Sequence, residues 1–278
     1  GEETDLQRLV ETCSVLRFFN QDILEHILCT DVSTQLRAIR QYSFVRIRED
    51  GQYMLHDVVR EFIETELEAR SPVKWRQINK KAAAFYANLV EQEQGYENGR
   101  LAHTVELVRH TCAVDEHEAL KILESRCTRL FGPMLEAYCV PIIEVLQEQI
   151  RKKRIKGELN RVKVEYFLGQ IQLVQGRFSA ARDRFYAAIR SPMATGDIKL
   201  GAYAALCDIL HRQGDVNTAL EVALAGLALA EELQDPESVS LLATRVGEMY
   251  GVLGDLRMSE VYCVKSEECL TQVEDAFT

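Results

Sequence analysis

The chain has 278 residues, 47% of them apolar, and a formal net charge of −10; that is apolar material for one large or two ordinary domains and excludes a disordered polar chain. Its acidity, with a pI near 5.2, sets up a field that repels nucleic acid and anionic lipid. No apolar run approaches ~20 residues, the start "GEETD" lacks the basic-then-apolar order of a secretory leader, and eight cysteines without a C-x-x-C pair read as free, mostly buried thiols in a reducing cytoplasm.

Taken in chain order, apolar residues at helical spacing predict helices over 5–17, 20–29 and 32–41. Phe44, Val45 and Ile47 set against Arg46 and Arg48, the turn "EDG" at 49–51, and the short run of Tyr53 and Leu55 read as a β-hairpin over 43–56. Val58, Val59, Phe62, Ile63 and Leu67 then form the apolar stripe of an amphipathic helix over 57–70, with Asp57 as its N-cap. Three helices followed by a two-stranded wing is a winged-helix arrangement, expected over 1–70. His56 falls where strand turns into helix, a place where free backbone N–H groups and the helix dipole favour an anion.

"SPVKW" at 71–75 breaks the helical pattern, because Pro72 disfavours helix at Ser71. Over 71–160 the segments "INKKAAAFYANLV", "HTVELVRH", "EHEALKIL" and "VPIIEVLQEQI" predict irregular helical pairs. His103, His110 and His117 recur every seven residues, but carboxylate partners at metal spacing are missing and a turn separates the last from the others, so no metal site is expected. The run "RKKRIKGELNRVK" at 151–163 holds seven basic residues and one acidic, and reads as a solvated helix end. Contact with an acidic partner is the other reading.

Three segments over 161–278 repeat: "LVQGRFSAARDRF", "LHRQGDVNTALEV" and "GVLGDLRMSEVYC". Aligned on Gly176, Gly214 and Gly254, which are 38 and 40 residues apart, the first places Gly169 before the glycine and Phe178, Ala181, Phe185 and Ala188 after it. The second places Val216, Ala219, Ala223 and Gly226 in the same positions, and the third Leu256, Ser259, Cys263 and Ser266. This pattern resembles the tetratricopeptide repeat with lengthened helices: small residues sit where two antiparallel helices approach, large ones between repeats. The resemblance implies a right-handed α-solenoid, so the fold expected overall is mostly all-α. Its inner groove would present Lys163, Tyr166, Gln170, Asp208, His211, Arg212, Thr244 and Glu248, a mixed set suited to a protein or peptide partner or a small inducer.

A winged helix, then Leu55-His56-Asp57 followed by "VVREFI", then helical repeats resembles the signal-transduction ATPases with numerous domains: the NOD-like receptors, plant disease-resistance ATPases and bacterial regulators of the maltose-activator type. The resemblance implies that His56 reaches the β-phosphate of bound ADP and holds the protein closed, that Asp57 supports the turn, and that a nucleotide-binding domain of the parent chain is a partner. No G-x-x-x-x-G-K-[ST] occurs in this sequence, so the chain is expected to hold no cofactor and catalyse nothing by itself, ADP or ATP being bound by the parent. The alternatives are a stand-alone repeat scaffold, or a winged-helix transcription regulator with "STQLRAIRQ" as recognition helix and Arg37, Arg40, Arg46 and Arg48 on DNA phosphates. Eight basic against fourteen acidic residues over 1–70 disfavour nucleic acid.

Overall fold

The computed structural model describes residues 2–92, 98–127 and 133–276; the stretches 93–97 and 128–132 of the expected helical-pair region lie outside the described residues. The chain is mostly α-helical, with one two-stranded antiparallel sheet among the described residues. It divides into two compact units, Gly1–Ile122 with Arg151–Arg154, and Leu123–Ile150 with Ile155–Thr278.

The first unit opens with α1 (Glu2–Val15), α2 (Gln21–Leu28) and α3 (Ser33–Ile39), then β1 (Val45–Ile47) and β2 (Tyr53–Leu55), then α4 (Asp57–Arg70), in the order the sequence predicts. Asn20 starts α2 by accepting a hydrogen bond from the Ile23 N–H at 3.1 Å. In the hairpin Val45 pairs with Leu55 and Ile47 with Tyr53, and Gly51 takes φ 81° in the turn. Tyr53 also exchanges backbone hydrogen bonds of 2.8 and 2.9 Å with Phe19, which ties the hairpin to the connection between α1 and α2. Leu55 is fully buried, so the strand end is anchored in the core beneath His56.

Ser71 ends α4 and Pro72 opens α5 (Pro72–Gln92), as the proline requires. The hydrophobic core runs straight through this break: Trp75, Ile78, Ala82 and Tyr86 of α5 join Leu9, Leu16, Leu24, Ile39 and Leu67 in one cluster. α6 (Asn98–Val114) packs along α5, followed by α7 (Glu116–Cys127).

Two expectations for α4 are corrected. Asp57 is the first helical residue and not the cap; the N-cap position is His56, with φ −55° and ψ 134°, and no side chain caps the helix. The buried stripe is also rotated. Val58 and Phe62 are 70% and 69% exposed, whereas Arg60 and Glu64 are buried with Leu67. The cause is electrostatic: Arg154 and Lys152 of the basic run lie over Glu64, so that face of α4 is covered by ion pairs instead of apolar side chains.

In the second unit α8 (Pro133–Arg151, its last residue counted with the first unit) is followed by six helices in three pairs: α9 (Glu158–Val174) with α10 (Phe178–Arg190), α11 (Gly196–Arg212) with α12 (Val216–Glu232), and α13 (Pro236–Leu253) with α14 (Leu256–Ala276). Each helix packs on the next, and the first helices also touch in a row, α9 on α11 and α11 on α13. Gly176, Gly214 and Gly254 make the intra-pair turns with φ of 71°, 80° and 86°, a conformation that L side chains rarely adopt. At the second turn the Gly214 N–H bonds to His211 O at 2.9 Å and the Asp215 N–H to Leu210 O at 3.0 Å. Asp215 then caps α12 by accepting from the Thr218 N–H.

Ala181, Phe185, Ala219 and Ala223 are fully buried, as the repeat alignment expects. Gly169 lies against the Phe185 ring and Gly226 against Tyr203, where a Cβ would stand 3.0 Å and 2.7 Å away. No described helix is long and apolar enough to cross a membrane.

Candidate functional site

His56 is placed by two neighbours. Its N–H donates to Phe44 O at 2.7 Å, which closes the hairpin, and its carbonyl accepts from the Arg60 N–H at 2.9 Å, which begins α4. The imidazole is exposed and makes no side-chain hydrogen bond among the described residues. The amides of Asp57, Val58 and Val59 precede the first intrahelical bond and have no acceptor within the helix. A ring nitrogen and a helix start with unsatisfied donors thus lie together at the surface, an arrangement suited to phosphate oxygens. Asp57, whose carboxylate is 3.7 Å from Arg60 Nε, is pulled toward its own helix.

Beside this junction the exposed Val58 and Phe62 form an apolar strip one helical turn apart. It borders a cleft of about 490 Å³ between α1 and α4, to which Val10, Phe44 and Ile63 contribute apolar walls and Glu66 and Arg70 a charged rim. Tyr42 and Phe44 stack at its edge with ring centroids 5.1 Å apart.

The residues expected on the inner face of the repeats fall on α9, α11 and α13. Gln170, Asp208 and Glu248 each stand six residues before the turn glycine, one per first helix. Sequence reasoning missed the residue that organises them. Arg245 puts Nε 3.0 Å from Asp208 Oδ1, Nη2 3.2 Å from Asp208 Oδ2 and Nη1 3.1 Å from Glu248 Oε2, a fork spanning α11 and α13. The available signal was two carboxylates at one repeat position, which need a shared cation to sit on adjacent helices. Burial raises the Asp208 carboxyl above the usual range, against the pull of Arg245 and Arg212.

The other groove candidates have different environments. Tyr166 accepts from Gln170 Nε2 at 3.0 Å, meets Phe185 edge-on and lies against Gly201, so it also packs between α9 and α11. Lys163 is paired with Glu124. Thr244 turns its hydroxyl to Ser240 O and, at 2.8 Å, to Ser266 Oγ on α14. His211 and Arg212 are exposed at the end of α11.

The spaced histidines do not converge. His110 is buried on Asn79, His117 is exposed at the start of α7, and no cluster of three metal-ligating side chains occurs among the described residues.

No family model matches the chain. Nor does any curated protein. Among solved structures it is similar to a Signal Transduction ATPase with Numerous Domains with a tetratricopeptide repeat sensor, from Pyrococcus horikoshii, at 14% identity and a TM-score of 0.41. The match covers 97% of this chain and 45% of that protein, so the chain spans less than half the length of the relative. At that identity and TM-score the likeness assigns neither family nor activity.

Proposed function

We propose that the chain is the regulatory and sensing part of a cytoplasmic signal-transduction ATPase. In this reading α1–α4 and the hairpin are a winged helix that registers nucleotide state, and α9–α14 are a right-handed tetratricopeptide-like solenoid that binds a protein, peptide or small inducer. The observation that carries it is the Leu55-His56-Asp57 junction: an exposed imidazole without a side-chain partner, set on the donor-rich start of α4. Such a group gains a partner when a diphosphate arrives and loses it when the diphosphate leaves, which is what a nucleotide-state sensor requires.

The triphosphate chemistry belongs elsewhere in the parent, since the sequence holds no phosphate-cradling glycine loop with its lysine. In the repeats, the Asp208–Arg245–Glu248 fork offers a ligand both charges on neighbouring helices. A ligand that exchanges partners with this fork would change how α11 is held to α13.

Phosphate release from ATP and GTP tests the assignment of chemistry. The purified chain is expected to release none above background. Turnover that disappears in His56→Ala would place catalysis in this chain and contradict the proposal.

A further inference from the structure

We propose that residues 151–154, "RKKR", are a releasable strap on the first unit, locked by Arg154 across Trp75 of α5 and onto Glu64 and Glu68 of α4. The chain enters the unit at Arg151 and leaves it at Arg154, four residues with no apolar side chain among them. Arg154 Nη2 is 2.9 Å from Glu64 Oε1 and 2.6 Å from Glu68 Oε2, and its guanidinium carbon stands 4.7 Å from the centroid of the Trp75 ring. Lys152 Nζ adds a contact of 3.9 Å to Glu64. Between the two anchors Lys153 takes φ 57°, a left-handed conformation that a non-glycine residue rarely adopts. The strap is therefore bent against its own backbone preference and held by charge and by guanidinium–indole stacking.

That composition is what makes it releasable. An apolar segment would be fixed by burial that salt does not weaken. A wholly cationic one is held by ion pairs, of which Arg154–Glu68, with Glu68 35% exposed, is open to screening, whereas Arg154 and Glu64, 11% and 7% exposed, form a buried pair that salt weakens far less. Glu64 and Glu68 lie two and three turns along the helix that His56 heads, so the strap grips the element carrying the proposed phosphate contact. This regulatory role of α4 rests on the function proposed above; the existence of the strap does not, and the experiment needs no nucleotide.

Trp75 is the only tryptophan of the chain and is 4% exposed, so its fluorescence reports the strap directly. In the full chain at low salt its emission should be blue-shifted and protected from acrylamide. Raising NaCl to about 1 M, where the Debye length falls to about 3 Å, should red-shift it in part and reduce the protection, by loosening the Glu68 anchor, while the far-ultraviolet circular dichroism stays constant. Arg154→Ala should give the red-shifted, quenchable state at low salt with no further response to salt, and Arg154→Lys an intermediate one. Hydrogen exchange over 151–155 and Glu64–Arg70 should quicken about ten-fold or more in Arg154→Ala, as the loss of charge-assisted hydrogen bonds implies. Glu68→Gln, a milder change at a half-exposed position, should lower the salt concentration at which Trp75 becomes exposed. The proposal is overturned if Trp75 emission in the wild-type chain ignores salt, or if Arg154→Ala leaves emission and exchange unchanged. Should Arg154→Ala unfold the unit, an unaltered salt response in Glu68→Gln overturns it equally.

Discussion

His56 and His110 stand in the same unit and face opposite physical problems. His56 is at the surface, and its replacement by alanine removes no side-chain hydrogen bond that the described residues make. His110 is fully buried, with Nδ1 2.8 Å from the Asn79 side-chain oxygen and its ring stacked on Tyr86 at 5.7 Å. Asn79 gives its amide nitrogen to Trp75 O at 2.9 Å, which turns its oxygen to the imidazole and leaves the proton on Nδ1. Burial pushes the His110 pKa down to about 3, and the charges of Arg109 and Arg154 act in the same direction. The unfolded chain, with an ordinary imidazole near 6.5, binds a proton that the folded unit refuses. The resulting stability is complete above about 6.5 and is lost as the pH falls toward about 3. Carboxylates titrate mainly below about 5, so a fall in the melting temperature of the first unit between about pH 6.5 and 5 belongs to the histidine. His110→Gln, which keeps a neutral donor for Asn79, should flatten that segment of the profile. A profile with the same slope in the variant would assign the loss to other groups.

At the level of elements, the turn glycines and the packing glycines answer to different costs. Gly214 has open space around a would-be Cβ, so Gly214→Ala should cost only the left-handed backbone penalty, about 1 kcal/mol. At Gly226 the added methyl would meet Tyr203 Cβ at 2.7 Å, so Gly226→Ala should cost about 1–3 kcal/mol through overpacking between α11 and α12. Denaturant unfolding followed by circular dichroism ranks the two; a costlier Gly214→Ala would mean that the turns, and not the close approach, limit the pairs. These elements were legible in the sequence because their causes are local. The helices, the hairpin and all three repeat turns stand where spacing, Pro72 and the turn glycines put them. The buried face of α4 was not legible, since Glu64 is covered by Arg154, which lies 90 residues away in sequence. An apolar count along the helix therefore assigned Val58 and Phe62 to the core, and they are at the surface. Arg245 escaped notice for a related reason: its partner Asp208 is 37 residues distant, on the preceding first helix.

For the molecule as a whole, the proposed switch at His56 and the fork at Arg245 lie one in each compact unit. The exposed Val58 and Phe62 beside His56 give the first device an apolar margin that a covering domain could bury along with the nucleotide. A hydrogen bond from an imidazole to a charged phosphate contributes roughly 1.5–3 kcal/mol, so its loss shifts a closed-to-open equilibrium about ten-fold to a hundred-fold. The folded unit should not notice the same change, because His56 holds the junction through its backbone N–H and carbonyl and not through its ring. The most direct measurement is the rate of ADP release from the intact parent protein carrying His56→Ala, with basal signalling recorded alongside. The account predicts release about ten-fold to a hundred-fold faster and raised basal signalling, with the melting temperature of the first unit unchanged. Wild-type release with wild-type basal signalling would contradict it and leave His56 a residue of the strand-to-helix junction alone.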